Sequence, residues 1–172
     1  MEFFDAIRAR RSVRAFSARP VEPQQLQQIL DAVNRAPSAG NLQAYEVYAV
    51  TKHATLNALV GAAHGQEFIV QAPVALVFCA DPARSAPRYT QRGVSLYCIQ
   101  DATIACAYAQ LAATALGLAS VWVGAFDEDA ARQAIGVGNE LRPVAILPIG
   151  YAAEEPAQRT RRAQEDLVRY IA

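Results

Sequence analysis

Asp101 and Asp127 bracket 25 residues without a formal charge. A run of that length either spans a bilayer, which takes roughly 20 apolar residues, or is buried inside a folded domain. Its composition favours the interior. It is rich in alanine, sparse in leucine and isoleucine, carries Thr103, Gln110, Thr114 and Ser120, and breaks at Gly117. We read it as a buried helix followed by a buried strand. The chain of 172 residues is 53% hydrophobic and 19% charged, too apolar for a disordered chain. It is long enough to bury roughly 70% of its unfolded surface as one domain. Zero formal net charge argues against a general nucleic-acid binder.

The remaining elements follow from periodicity and punctuation. Pro23 opens a helix in which Leu26, Ile29, Leu30 and Val33 share one face, and Pro37 ends it. Ala36 to Asn41 reads as a loop, Tyr45 to Val50 as a strand, and Ala54 to Ala63 as a short helix. Val74 to Ala80 is a continuous apolar run, as in a strand covered on both faces. Residues 81 to 93, with Pro82, Pro87 and three arginines, read as a surface loop. A long helix is expected from Leu96 to Leu116, apolar nearly all round and stopped by Gly117. Ala119 to Val123 reads as a strand, and Asp127 as the N-cap of a helix reaching Ile135. Pro143 to Gly150 is the last strand, with Pro148 placing it near an edge or bulge. A polar, basic tail follows from Ala152. The order implies one α/β or α+β domain built on a single sheet.

Cys79, Cys98 and Cys106 are too few and too irregular for a disulfide framework, and with only His53 and His64 they form no zinc spacing. The amino end has no signal-like apolar core, so a cytoplasmic setting is the expectation.

Three places offer chemistry. Five arginines (Arg8, Arg10, Arg11, Arg14, Arg19) lie between positions 8 and 19 with no acid among them, and Arg159, Arg161 and Arg162 form a second knot. Guanidinium groups bind phosphate through paired hydrogen bonds, so two such knots suit an anion held between them. Two solvated faces explain the same charges. The loop Pro37 to Gln43 offers Ser, Asn and Gln side chains to a planar heterocycle, or is an ordinary connector. Val123 to Phe126, between strand and helix, offers backbone N–H groups at a strand end, where ligands favour binding, or is a plain turn. Gly136-Val137-Gly138 lacks the third glycine of a dinucleotide fingerprint, and no phosphate loop or nucleophile elbow is present.

In order along the chain, these features resemble the nitroreductase family of FMN-dependent oxidoreductases. The matching strings are Arg10 to Phe16 (RRSVRAF), Ala36 to Gln43 (APSAGNLQ), Gln66 through Ala72-Pro73, Gln100-Asp101-Ala102 through Leu118, Gly124 to Asp127 (GAFD), Pro148 to Tyr151 (PIGY) and the basic tail. The resemblance implies an α+β fold, a mostly antiparallel sheet wrapped by helices, in an intertwined homodimer. Residues 1–172 would be one FMN-binding domain, with 152–172 a tail crossing to the partner. It implies that Arg10, Arg11 and Ser12 bind the FMN phosphate and ribityl chain, with Arg14 near the N1 and O2 edge of the ring. Gln66 would contact ring or ribityl. Gly124 and Ala125 would present N–H groups to N5 and O4, and Arg159 and Arg161 would bind phosphate, with Arg162 the alternative to one of them. Pro37, Ser38 and Asn41 would reach the flavin held mainly by the other subunit. It names no catalytic acid or base and no metal.

The implied activity is NAD(P)H-driven, ping-pong reduction of small electron-poor compounds such as nitroaromatics or quinones. Ala44-Tyr45 stands where many members carry Pro-Trp, and the chain lacks room for the helical excursion that covers the active site of larger ones. A specialised flavin enzyme on the same scaffold (a dehalogenase, an azoline oxidase or a flavin-cleaving enzyme) and a non-catalytic flavin carrier or sensor stay open, as does the choice between NADH and NADPH.

Overall fold

The structure, a computed structural model, describes residues 1–171. Its elements are α1 (Phe3–Ala9), α2 (Pro23–Asn34), β1 (Tyr45–Val50), α3 (His53–Ala62), α4 (Phe68–Gln71), β2 (Val74–Ala80), α5 (Pro82–Arg92), α6 (Cys98–Ala115), β3 (Ala119–Ser120), α7 (Glu128–Ile135), β4 (Arg142–Gly150) and α8 (Gln164–Leu167). The strands form one sheet in the order β1-β2-β4-β3, every pair antiparallel.

β2 is continuously apolar because helices cover both of its faces. Val74, Leu76 and Phe78 pack with Leu147 and Ile149 against Ile29 and Val33 of α2 and the alanines of α6. Ala75, Val77 and Cys79 pack with Ile146 on the opposite side, against Leu56, Leu59 and Val60 of α3 and Ala131 of α7. α2 starts as its sequence demands. Pro23 occupies the first turn, and Glu22 and Gln25 close a reciprocal capping box. α6 ends at Gly117 (φ 75°), with the Leu118 N–H reaching back to the Ala113 carbonyl at 2.9 Å in a Schellman-type closure. Among the described residues, no helix is long and apolar enough to cross a membrane.

Three expectations need correction. Residues 81–93 are helical rather than a loop. Asp81 caps α5 by accepting the Arg84 N–H at 3.0 Å, and Pro82 sits in the first turn, where its missing N–H costs nothing. α5 buries only Ser85 fully, so it shows no apolar stripe. The long helix does not begin as an α-helix at Leu96, because a π-helical turn over Gly93–Tyr97 precedes α6.

The third correction concerns β3 and Pro148. β4 is an inner strand, and its bulge lies opposite Phe78 and Cys79, away from Pro148. Val123 and Ile146 exchange both backbone hydrogen bonds, at 2.9 and 3.0 Å. Two residues along the same register, the next narrow pair is Val121 with Pro148, and proline has no N–H to give. The ladder breaks there, so β3 is confined to Ala119–Ser120 instead of running to Val123. The lost bond costs about 0.5–1.5 kcal/mol. Burying Leu147 or Ile149, each 0% exposed, contributes ~1.5–3 kcal/mol apiece. Burial wins, and the strand stays central.

The segment Ser12 to Ser17 ties the start of the chain to its end. Ser12 bridges Ser120, and the Val13 N–H donates to the Ser120 carbonyl. The Ser17 N–H donates to the Tyr151 carbonyl at 2.9 Å, and the Ala153 N–H to the Ala15 carbonyl at 2.8 Å. The Arg19 guanidinium lies 3.9 Å over the Tyr151 ring. Val13 and Phe16 point into the core and hold this arm down.

Candidate functional site: an arginine cleft between the chain ends

The arm carries the first arginine cluster to the place where the chain leaves β4. There a cleft of about 580 Å³ is lined by Arg8, Arg10, Arg11, Ser12 and Arg14 on one side and by Arg159 and Arg161 on the other. The two clusters, some 150 residues apart in sequence, meet in one cavity. Arg162 does not line it; its guanidinium turns to the Asp166 carbonyl at 2.8 Å.

Six arginines and one carboxylate, Glu154, line the cleft, and Arg8 is also paired with Asp5 beside it at 2.6 Å. Glu154 accepts the backbone N–H of Arg14 and pins the arm to the tail. Arg11 also donates to the carbonyls of Arg8 and Arg10, at 2.6 and 3.0 Å, which satisfies the exposed C-terminal end of α1. Like charges this close repel, so the cleft gains stability from an anion. Its volume falls in the usual range for small-molecule sites, ~300–1,000 Å³.

Pro37 and Ser38 line a different cleft, of about 440 Å³, with Ala39, Tyr97, Gln100, Asp101, Thr103 and Ile104. Asn41 lines neither; it closes a 3₁₀ turn at φ 58°. The loop Pro37 to Gln43 is held from both sides. Beneath it the Asp101 carboxylate, 2% exposed, accepts the Ala39 N–H at 2.9 Å and the Ala44 N–H at 3.4 Å. Burial, then the Asp101 charge, pushes the Tyr45 phenol above its ordinary range. Above the loop, Arg84 of α5 donates to the Leu42 carbonyl and Arg88 to the Gly40 carbonyl. Within it, the Ser38 hydroxyl accepts the Gln43 N–H at 2.9 Å.

Gly124 and Ala125 stand exposed beyond the Val123–Ile146 bridge, and neither N–H is bonded among the described residues. The Gln66 amide donates to the carbonyls of Ala63 and Ala125, both at 3.0 Å, and fixes that turn against the end of α3. Gln66, Gly124 and Ala125 lie outside the lining of the arginine cleft. The segment that follows β3 links the regions. The four steps from Ser120 to Gly124 span at most about 13 Å at ~3.3 Å each.

Asp101, Glu154, Arg84 and Arg88 carry structural duties that residue patterns did not reveal. The one available signal was Asp101 itself, an acid at the mouth of an uncharged run. Such a charge must be buried with partners or stand at a surface.

Residues 7–66 and 57–151 match the profile described as the nitroreductase family. A Bacillus subtilis protein named FMN reductase [NAD(P)H] is 32% identical over 177 residues, covering 95% of this chain and 71% of that protein. The crystal structure of a nitroreductase family protein from Clostridium difficile 630 superposes with a TM-score of 0.87 at 32% identity, covering 99% of this chain and 98% of the other. NADPH:FMN oxidoreductase from Vibrio harveyi, solved in complex with NAD+, superposes with a TM-score of 0.89 at 26% identity, over 98% of this chain and 76% of that one. The chain therefore belongs to the nitroreductase family. Its four-stranded antiparallel sheet between helical layers is that family's α+β fold.

Proposed function

We propose that this protein is an NAD(P)H-dependent flavin oxidoreductase that holds FMN in the arginine cleft and reduces small electron-poor compounds such as nitroaromatics or quinones. The observation that carries the reading is the convergence of Arg10, Arg11, Ser12 and Arg14 with Arg159 and Arg161 on one cavity. The donor set fits a phosphate-bearing group, since guanidinium pairs grip phosphate bidentately. The names of the Bacillus and Vibrio relatives support flavin and reduced nicotinamide nucleotides as the reactants.

Bound FMN would supply reversible hydride and electron transfer through its ring. Arg10, Arg11, Ser12, Arg159 and Arg161 would hold the phosphate and ribityl chain. Arg14 would set a positive charge where negative charge develops, an arrangement that favours two-electron transfer. The free N–H groups of Gly124 and Ala125 would donate to the polar edge of the ring, with Gln66 fixing their turn. Pro37, Ser38 and Asn41 would approach from the partner subunit. The nucleotide and the acceptor would occupy the same place in turn, giving ping-pong kinetics.

This reading includes a homodimer. One face of α6 exposes Gln100, Thr103, Ala107 and Tyr108 without a single charge, while Ala105, Cys106, Ala109 and Ala113 face the core. α1 exposes Phe3, Phe4 and Ile7, and the tail exposes Leu167, Val168, Tyr170 and Ile171, the last two at 89% and 96%. A second copy covers such surfaces, and the tail would cross to it.

The test is the absorbance spectrum of the purified protein, followed by anaerobic titration with NADH and with NADPH. We expect one FMN per subunit and bleaching by a reduced nucleotide. Arg11→Ala, losing one charge-assisted contact in a partly exposed site, should weaken FMN about tenfold. A colourless protein that takes up no added FMN refutes the proposal.

A further inference from the structure

We propose that Arg88 and Arg92 of α5 form the docking site for a phosphate group of the reduced dinucleotide that feeds the active site. This rests on the reading that the Pro37–Gln43 loop closes over the flavin of the partner subunit.

α5 carries Arg84, Arg88 and Arg92 and not one acid. Elsewhere Arg8, Arg132 and Arg142 each meet a carboxylate, whereas the three α5 arginines have no acidic partner among the described residues. Arg84 is committed to the loop through the Leu42 carbonyl. Arg88 uses one terminal nitrogen on the Gly40 carbonyl, at 3.3 Å. Arg92 uses only Nε, which donates to the Tyr97 hydroxyl at 3.0 Å, so both its terminal nitrogens stay free.

These two guanidiniums flank one aromatic pair. The Tyr89 and Tyr97 rings meet edge to face, 5.0 Å apart. Arg88 lies over the Tyr89 ring at 5.5 Å and Arg92 over the Tyr97 ring at 5.4 Å. The helix departs from regular geometry to allow this. Thr90 takes φ 48° and ψ −137°, a costly conformation for a β-branched residue, between Tyr89 and the π-helical turn that carries Tyr97.

The pair sits on the loop cleft. Tyr97 lines that cleft beside Pro37 and Ser38. Gly40, at φ 57°, passes close beneath them: a Cβ there would fall 2.6 Å from the Tyr89 hydroxyl and 2.8 Å from Arg88 Nη1 and would displace those side-chain ends. Beside the rings, one terminal nitrogen of Arg88 and both of Arg92 remain without a protein acceptor among the described residues. Free guanidinium nitrogens suit phosphate oxygens, and among the described residues no carboxylate is ion-paired with either arginine. The ligand chemistry is phosphate on a reduced dinucleotide, either the 2′-phosphate of NADPH or the pyrophosphate that NADH and NADPH share.

Steady-state kinetics on the flavin-loaded enzyme test the assignment with Arg92→Gln, Arg88→Gln/Arg92→Gln and Arg92→Lys. We expect Arg92→Gln to raise KM about tenfold, the equivalent of ~1.4 kcal/mol, with the effect on KM rather than kcat. The double variant should exceed that, and Arg92→Lys should recover part. A rise with NADPH alone assigns the 2′-phosphate; a rise with both donors assigns the pyrophosphate. KM within twofold of wild type for both donors overturns the inference. So does an equal rise with dihydronicotinamide riboside, which carries no phosphate. Wild-type turnover with FMN bound but unmoved KM values sinks this site alone, whereas wild-type protein that oxidises neither donor also sinks the proposed function.

Discussion

Asp101 is the residue whose loss should separate fold from site. Its two oxygens accept the Ala39 and Ala44 N–H groups at 2.9 and 3.4 Å beneath the Pro37–Gln43 loop. The first is a charge-assisted bond of about 1.5–3 kcal/mol; the second lies near the distance limit and counts for less. Asp101→Asn keeps an acceptor for Ala39 but turns an NH₂ toward the Ala44 N–H, in a place where Ala44 is 0% exposed. A buried unpaired donor costs about 1–3 kcal/mol, and removing a buried charge returns part of that. The net expectation is about 2 kcal/mol for asparagine and about 3 kcal/mol for alanine. With a urea m-value of ~2 kcal/mol/M, asparagine lowers the midpoint by about 1 M. Urea melts followed by circular dichroism, at fixed protein and flavin concentration, give the number. Hydrogen exchange should show faster exchange at Ala39 and Ala44 first. A midpoint within about 0.2 M of wild type (about 0.4 kcal/mol at that m-value), with unchanged exchange at those two amides, would show that Asp101 does not hold the loop.

Two further outcomes are expected. Deleting residues 164–172 removes the exposed Leu167, Val168, Tyr170 and Ile171 but keeps both cleft arginines of the tail, so light scattering on dilution should show weakened dimers; a monomeric parent would refute the shared-subunit reading outright. Alkali should destabilise the fold, because burial pushes the Cys79 thiol up to about 12 from an ordinary 9, with the Glu46 charge adding to the rise. Above pH 9 the unfolded chain releases that proton while the folded one keeps it. Stability therefore falls as pH rises toward 12, by at most ~1.4 kcal/mol per pH unit for that thiol. Urea melts at pH 8, 9.5 and 10.5 check this, and native protein at pH 8 should leave a thiol reagent unreacted until it unfolds.

Much of the fold was legible because its apolar patterns are regular. β1 and β2 have the predicted bounds, and Gly117 and Asp127 end and begin helices as read, since each signal is local. α5 was missed because prolines in a first turn and proline breakers look alike without the Asp81 cap in view. The length of β3 was misjudged because the break is set by Pro148, on another strand. In the candidate site, charge clustering exposed both arginine knots, and the family resemblance paired them. What no local pattern contained was the buried Asp101 contact, or Glu154 meeting the Arg14 N–H across 140 residues. Both are tertiary facts with ordinary side chains.

The zipper that joins Ser12–Ser17 to Tyr151–Ala153 has a consequence for biosynthesis. Half of the arginine cavity is translated some 150 residues before the other half. A ribosome-bound chain can settle α2 against β1 and β2 early, yet it owns no closed cavity until Arg161 has emerged. On the proposed reading, flavin loading would wait for that second cluster, and a chain stalled or clipped before it would keep only the grip of Arg10, Arg11 and Arg14.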